Sequence, residues 1–419
     1  MIFDDLDNLS SARTKIKVIG VGGAGKNAID HMIENEVMGV EFFVVNTDAQ
    51  DLKASSCQNR LLIGKTTTHG QGAGANPEVG RAAALESEDD IHEMIGDAQM
   101  VFITCGMGGG TGTGAAPVVA KVARDNKCLT VGICTKPFFF EGPQRMDNAA
   151  KGLENLRKYV DTLIVIPNQR LLQMVDVSTN MYQAFREADN VLRKGVQGIA
   201  EVITVPGMIN LDFADVRSVM QNKGTALMGI GVATGPNRAR EAAINAIHSA
   251  LLEVTIDGAT DAIVNITASR SLTLHEVNDA VEEIRNNSGK NLNVIFGAAV
   301  NSDLNDEIVV TVVATGYELK AQENGYADIS SDIYRHMNDD NITINYADSD
   351  EEEAEPDVIN PNDKLKQIFT NIDPKGEKKR LKEEKKRLKE EKKRKQQDLK
   401  ETPTKEVSSS KLPDWLRRE

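Results

Sequence analysis

Between residue 15 and about residue 317, short apolar runs alternate with amphipathic stretches, and after residue 318 this periodicity is lost. The runs at 15–21, 41–46, 100–105, 130–135 and 162–167 are rich in β-branched residues and predict strands. The stretches at 27–36 and 111–126 have helical composition. Strands alternating with helices predict a parallel sheet covered on both faces.

A long helix is predicted over 179–202. Met181, Phe185, Ala188, Leu192, Val196 and Ile199 recur at spacings of three and four, which is one helical face. The breaker Pro206-Gly207 follows. Beyond it, strands are predicted at 229–234 and 262–267 and helices at 238–252 and 274–286. The runs 291–299 and 307–314 read as paired strands. This second block reads as a separate α/β domain packed on the long helix.

Past residue 318 the chain is polar, with a dense acidic block at 348–357 and a seven-residue repeat, KKRLKEE, at 378–384 and 385–391. Each copy carries one apolar residue, Leu381 or Leu388, whereas a coiled coil needs two per heptad. The repeat therefore reads as a solvated charged stretch, with a weak basic docking patch as the alternative. Low hydrophobicity and high charge predict disorder over 318–405.

The 419 residues carry a formal net charge of −14, which disfavours non-specific binding to nucleic acid or an anionic membrane surface. The start, residues 1–11, has no basic and apolar leader pattern, and no apolar run reaches the ~20 residues of a membrane span. A soluble, cytoplasmic protein is expected. The four cysteines, Cys57, Cys105, Cys128 and Cys134, lack C-x-x-C spacing and read as buried thiols.

Candidate chemistry lies in two glycine loops. The first, GVGGAGKN at 20–27, joins a predicted strand to a predicted helix, where backbone N–H groups converge on phosphate. Taken alone it is ambiguous. Gly20, Gly22 and Gly25 satisfy the dinucleotide pattern, with Asp48 near the place of a ribose-binding acid. The same loop nearly matches a P-loop, with Lys26 in place but Asn27 where a Mg²⁺-binding hydroxyl is required. The second loop, GMGGGTGTG at 106–114, changes the balance. So many glycines between strand and helix, with two threonine hydroxyls, suit a triphosphate better than one pyrophosphate.

These loops carry a resemblance. GGGTGTG at 108–114 is similar to the signature of the tubulin/FtsZ family. IKVIGVGGAGKNA from residue 16, VNTDAQ at 45–50, GQGAGANPEVG at 70–80, EGPQR at 141–145, FREADNVL at 185–192 and NLDFADV at 210–216 continue it in order. The resemblance implies a tubulin-like α/β fold. Its expected parts are a flexible segment at 1–14, a Rossmann-like parallel-sheet GTP-binding domain at 15–178, a central helix at 179–203 and a second α/β domain at 204–317 with an activating loop at 207–216. A disordered charged linker at 318–405 and a docking peptide at 406–419 complete it.

For the site, the resemblance implies that Gly23, Ala24, Gly25, Lys26 and Asn27 form the first nucleotide loop. Gly108, Gly109, Gly110, Thr111, Gly112 and Thr113 would hold the phosphates. Gly72, Ala73 and Gly74 would lie near the γ-phosphate. Glu141 and Arg145 match ribose contacts; without the resemblance they read as an exposed i,i+4 pair. Asp189 matches the guanine contact, and a carboxylate can accept from guanine N1–H and the N2 amino group together. Phe185 either stacks on the purine or packs in the core. Asn46 and Asp48 fall near the ribose or the water around Mg²⁺. Asn210, Asp212 and Asp215 match catalytic groups that act on the nucleotide of the next subunit; in an isolated chain they read as an acidic turn capping a helix.

The implied protein binds GTP and GDP with Mg²⁺, hydrolyses GTP and polymerises head-to-tail into the cytokinetic ring scaffold of bacterial cell division. No protein-only metal site is expected, and nucleic acid is an unexpected partner. The peptide from Leu412 to Arg418 would dock membrane-tethering and regulatory division proteins at mid-cell. Two rival readings are an NAD-dependent oxidoreductase built on residues 20–25 and a structural paralogue that assembles without efficient turnover.

Overall fold

The computed structural model describes residues 14–172, 179–205, 207–249, 251–252, 256–288, 292–301 and 304–317, all within one compact unit. The amino-terminal segment, the charged linker with its heptads and the terminal docking peptide expected above lie outside the described residues.

In chain order the elements are β1 (Ile16–Val21), α1 (Gly22–Glu34), β2 (Glu41–Asn46), α2 (Ala49–Ala54), β3 (Asn59–Leu62), α3 (Lys65–Thr68), α4 (Pro77–Glu86), α5 (Glu88–Ile95), β4 (Met100–Gly106) and α6 (Thr111–Asp125). They continue with β5 (Leu129–Lys136), a 3₁₀ turn (Phe139–Glu141), α7 (Pro143–Arg157), β6 (Thr162–Pro167), α8 (Asn168–Leu171), α9 (Met181–Thr204), α10 (Phe213–Met220), β7 (Gly224–Thr234), α11 (Arg238–Ile247), β8 (Asp261–Ala268), α12 (Leu274–Ser288), β9 (Asn293–Val300) and β10 (Glu307–Thr315).

One ten-stranded sheet runs in the order β3-β2-β1-β4-β5-β6-β7-β10-β8-β9. The first seven are parallel neighbours. Strand side chains alternate between faces, and here both faces are covered. Ile16 and Val18 of β1, with Met100 and Phe102 of β4 and Val131 of β5, enter the core under α1 and α9. Ile19, Val21, Ile103 and Cys105 enter a second core, under α4 to α7. That double burial is why these strands read as unbroken apolar runs.

β7 is the joint between the two blocks. Gly224–Ala226 pair parallel with β6, and residues 227–234 of the same strand pair antiparallel with β10. The strand predicted at 229–234 thus begins five residues earlier, because the polar start of β7 is held by β6 rather than by its own apolar pattern.

The paired strands expected at 291–299 and 307–314 both exist but do not pair. β8 lies between them, parallel to β9 and antiparallel to β10. The β8–α12–β9 unit places β9 on one edge of β8 and leaves the other edge for β10. At the end of β8, Asn301 N donates to Ala268 O at 2.9 Å.

The helix α9 also differs at its start. Ala188, Leu192, Val196 and Ile199 are buried as predicted, but Met181 is 64% exposed and Phe185 is only partly covered. The first turns of α9 run beyond the core. Further along, α9 packs on α1 and β5 and reaches β8 and β9, so it braces both blocks. All four cysteines are buried. Cys105 and Cys134 are register partners on β4 and β5, with Sγ atoms 3.3 Å apart.

Candidate functional site

Ligand crevices in parallel sheets open at the carboxyl ends of the strands. Here β1, β4, β5 and β6 end around a cavity of about 390 Å³. Its walls come from both glycine loops, from α7 and from the start of α9.

The first glycine loop is shorter than its sequence suggests. α1 begins at Gly22, directly after β1, rather than at Asn27. Gly22 makes this turn with φ +74°, a region that costs other residues a Cβ clash. The free N–H groups at the helix start therefore face the cavity. Gly23, Ala24 and Asn27 line it. Gly25 and Lys26 do not. A Cβ on Gly25 would meet Thr104 O at 2.6 Å, so this glycine packs helix against sheet. Lys26 is 9% exposed, and its Nζ lies 3.2 Å from Asp51 Oδ1 and 3.6 Å from Asp30 Oδ2.

The second loop curls over the carboxyl end of β4. Gly109, Gly110, Thr111 and Gly112 line the cavity at the start of α6. A Cβ on Gly109 would meet nothing within 4 Å, so the backbone there is open to a ligand. Gly108 and Thr113 stand behind this surface and fix it. Gly108 N donates to the buried Thr113 Oγ1 at 2.9 Å. Two successive glycine cradles at helix starts favour an extended polyanion.

Residues 72–74 back the site rather than line it. Ala73 is buried, and a Cβ on Gly110 would come within 2.8 Å of its side chain. Gly72 N donates to Thr47 O at 3.1 Å. Asn46 is buried, and Asp48 caps α2 by accepting from Gln50 N and Asp51 N.

At the opposite wall, Glu141 Oε1 accepts from Phe138 N at 2.8 Å and Oε2 accepts from Arg145 Nη1. The i,i+4 pair does form, and both members line the cavity. Phe185 and Asp189, one turn apart on α9, close it. Phe185 meets the buried Phe138 edge-on, with ring centroids 5.4 Å apart, so packing and lining are one role. Burial pushes the Asp189 carboxyl up to about 7, against the opposing pull of Arg186 and Lys26. A carboxylate short of partners, beside an aromatic ring at the end of an anion cradle, suits a purine that presents adjacent N–H donors.

Sequence reasoning missed Thr135 at the end of β5, Pro137 just after it and Asn168 just after β6, which also line the cavity. Asn168 is 6% exposed and its Oδ1 has no hydrogen-bond partner among the described residues. Position at a strand's carboxyl end was the available signal.

Asn210, Asp212 and Asp215 are not brought to this cavity. They are exposed beyond the far end of α9, Asn210 and Asp212 on the loop and Asp215 in the first turn of α10. From Asp189 to the end of α9 at Thr204 the helix rises about 22 Å at 1.5 Å per residue. Asn210 Oδ1 accepts from Gly207 N at 2.6 Å, and Asp212 caps α10 through Asp215 N at 2.7 Å. Among the described residues, no group of three His, Cys, Asp or Glu is arranged to hold a metal ion, and no helix is long and apolar enough to cross a membrane.

Residues 15–176 match the family model described as the Tubulin/FtsZ family, GTPase domain, and residues 224–318 match the FtsZ family, C-terminal domain. The empty FtsZ dimer of M. jannaschii is 44% identical, with a TM-score of 0.72, covering 75% of this chain and 91% of that one. A point mutant of M. jannaschii FtsZ matches at the same identity and TM-score, covering 75% and 95%. CetZ1 from Haloferax volcanii, a GDP-bound monomer, is similar in fold at 21% identity and a TM-score of 0.64, covering 73% and 95%. With this identity spread along most of the chain, and with a cavity built from the signature glycine loop, the protein belongs to the tubulin/FtsZ family of GTPases.

Proposed function

We propose that this GTPase assembles head-to-tail into filaments and hydrolyses GTP at the junction between subunits, as the scaffold of a cytokinetic ring. One observation carries the reading. Among the described residues that line the cavity, the acids and bases are Glu141 on the 3₁₀ turn, Arg145 on α7 and Asp189 on α9. The remaining candidates, Asn210, Asp212 and Asp215, are exposed at the opposite end of α9. A head-to-tail contact would bring that end of one subunit over the cavity of the next, and such a contact propagates as an open filament.

The two ends fit this use. Phe139, Phe140, Met181 and Tyr182 are exposed around the Glu141 and α9 wall of the cavity, and Met208 and Ile209 are exposed beside Asn210. Exposed apolar groups at both ends mark contact surfaces. The related FtsZ of M. jannaschii was solved as a dimer, which supports self-association.

Within this reading the glycine cradles hold the phosphates, and Asp189 with Phe185 selects guanine. Phosphoryl transfer depends on positioning and charge stabilisation. Asp212 and Asp215 of the neighbouring subunit would orient the attacking water, and Asn210 would hold it. Mg²⁺ keeps several waters and binds through phosphates and one or two carboxylates, so a protein-only cage is not needed. The peptide from Leu412 to Arg418 would dock membrane-tethering and regulatory partners at mid-cell. The oxidoreductase reading is not favoured, since its single loop leaves the second cradle unexplained.

The test is GTP hydrolysis per subunit against protein concentration with Mg²⁺, alongside light scattering. A threshold above which both rise together supports a shared site. A specific rate independent of concentration overturns it, and scattering without turnover would favour the weakly hydrolysing paralogue.

A further inference from the structure

Lys26 occupies the place where a P-loop lysine would reach phosphate, yet its ammonium points elsewhere. It is buried against Asp51 and Asp30. Asp30 is also engaged by Ser55 Oγ at 2.6 Å and by Ser56 N at 2.9 Å. A buried ammonium is tolerated only when paired and hydrogen-bonded. The pairing here leads somewhere. Asp51 Oδ2 accepts from Asn46 Nδ2 at 2.7 Å. Asn46 Oδ1 accepts from Thr47 N at 2.8 Å. Thr47 Oγ1 lies 2.6 Å from Thr111 Oγ1, and Thr111 lines the cavity at the first residue of α6.

Thr47 is a junction of three loops. Its amide is held through Asn46 and Asp51 from the first glycine helix. Its carbonyl accepts from Gly72 N of the 70–76 loop, and its hydroxyl meets the signature loop. Thr47 is fully buried, whereas Thr111 is only partly covered and faces the cavity. Either hydroxyl could donate across this contact; with Thr47 Oγ1 donating and Thr111 Oγ1 accepting, the Thr111 proton is left for the cavity. A hydroxyl fixed in that sense is ready to donate to a phosphate oxygen without reorganising on binding.

We propose that Lys26 is a positioning residue for the nucleotide phosphates, acting through Asp51, Asn46 and Thr47 on the hydroxyl of Thr111, and that it makes no phosphate contact itself. The proposal rests on the GTP site described above.

The experiment is a double-mutant cycle on GTP affinity, read by competition with a fluorescent GDP analogue at concentrations below assembly. Wild type, Lys26→Met, Thr47→Val and the double variant are compared, with Thr47→Ser and Lys26→Arg as conservative controls. Each single variant is expected to weaken GTP binding about tenfold, the scale of one hydrogen bond to a charged group. The double variant should weaken it no further than the worse single one, and Thr47→Ser should stay within about twofold of wild type. Losses that multiply in the double variant would overturn the relay, as would a loss in Lys26→Met with Thr47→Val unchanged, which would assign Lys26 to direct phosphate contact. If Lys26→Met does not fold, Asp51→Asn enters the cycle in its place, with the same expectations. Wild-type protein that binds no GTP would remove the site and the relay together, a result distinct from any pattern among the variants.

Discussion

Phe185 of α9 stands edge-on to the buried Phe138, 5.4 Å between centroids, and Phe140 stacks on Phe138 at 5.0 Å. The aromatic wall of the cavity is thus anchored from the turn that also carries Glu141. Phe138→Ala should cost about 3–5 kcal/mol of stability, the usual range for a buried phenylalanine. Phe138→Leu should keep most of the stability while loosening Phe185, so GDP affinity should fall several-fold with a small change in melting temperature. Thermal melts with and without GDP read both effects.

Burial holds the Asp189 carboxyl up at about 7, so guanine binding through Asp189, as proposed above, would be pH-dependent. In that proposal the charged form accepts from guanine, so affinity for GTP should rise as pH goes from about 6 to 8. Asp189→Asn should flatten that rise. The stability of the free protein moves the other way. The folded state holds this proton above the unfolded value of 3.8, so the group favours folding at low pH, and that contribution is lost as pH rises from about 4 through 7. Affinity titrations across this range, with the variant beside wild type, check the sign.

Asp212 has a structural duty as well as the proposed chemical one, and two substitutions separate them. Asp212→Asn retains an acceptor for Asp215 N and should leave stability nearly unchanged while turnover in filaments drops at least tenfold. Asp212→Ala should lose the turnover and in addition about 1 kcal/mol from the lost cap. Melting curves and single-turnover hydrolysis distinguish the two. A normal rate in Asp212→Asn would remove the catalytic assignment.

α4 and α6 touch backbone to backbone at Gly114, where a Cβ would lie 1.9 Å from Pro77 O. Gly114→Ala must force the helices apart, and overpacking of this kind typically costs about 1–3 kcal/mol. Since α6 begins with the proposed phosphate cradle, nucleotide affinity should fall with stability, which a denaturant titration with and without GDP would show.

Much of the site could be read from the chain because glycine loops between strands and helices are local features. Residues 108–114 lie where strand, loop and helix periodicities meet, and in the structure Gly109 to Gly112 line the cavity there. Lys26 could not be read in this way. Its position in a near-P-loop pattern pointed to phosphate, but its side chain goes to Asp51, on another helix, and only folding brings the two together. The same holds for Asn168, whose polar side chain gained meaning once β6 was seated beside β5.

Local residue patterns were enough to place the alternation of strands and helices, the glycine loops between strand and helix and most of the apolar stripe of α9, because each depends on residues within a few turns of one another. What joins what was set only by the assembled fold. It carried β7 from one block of the sheet into the other, slipped β8 between β9 and β10, and turned Met181 outward. It also set Asp212 at the far end of α9 from the cavity. Those outcomes depend on pairing and side-chain direction between segments distant in sequence, where burial and hydrogen bonding are satisfied by the whole fold and leave no periodic trace in the chain.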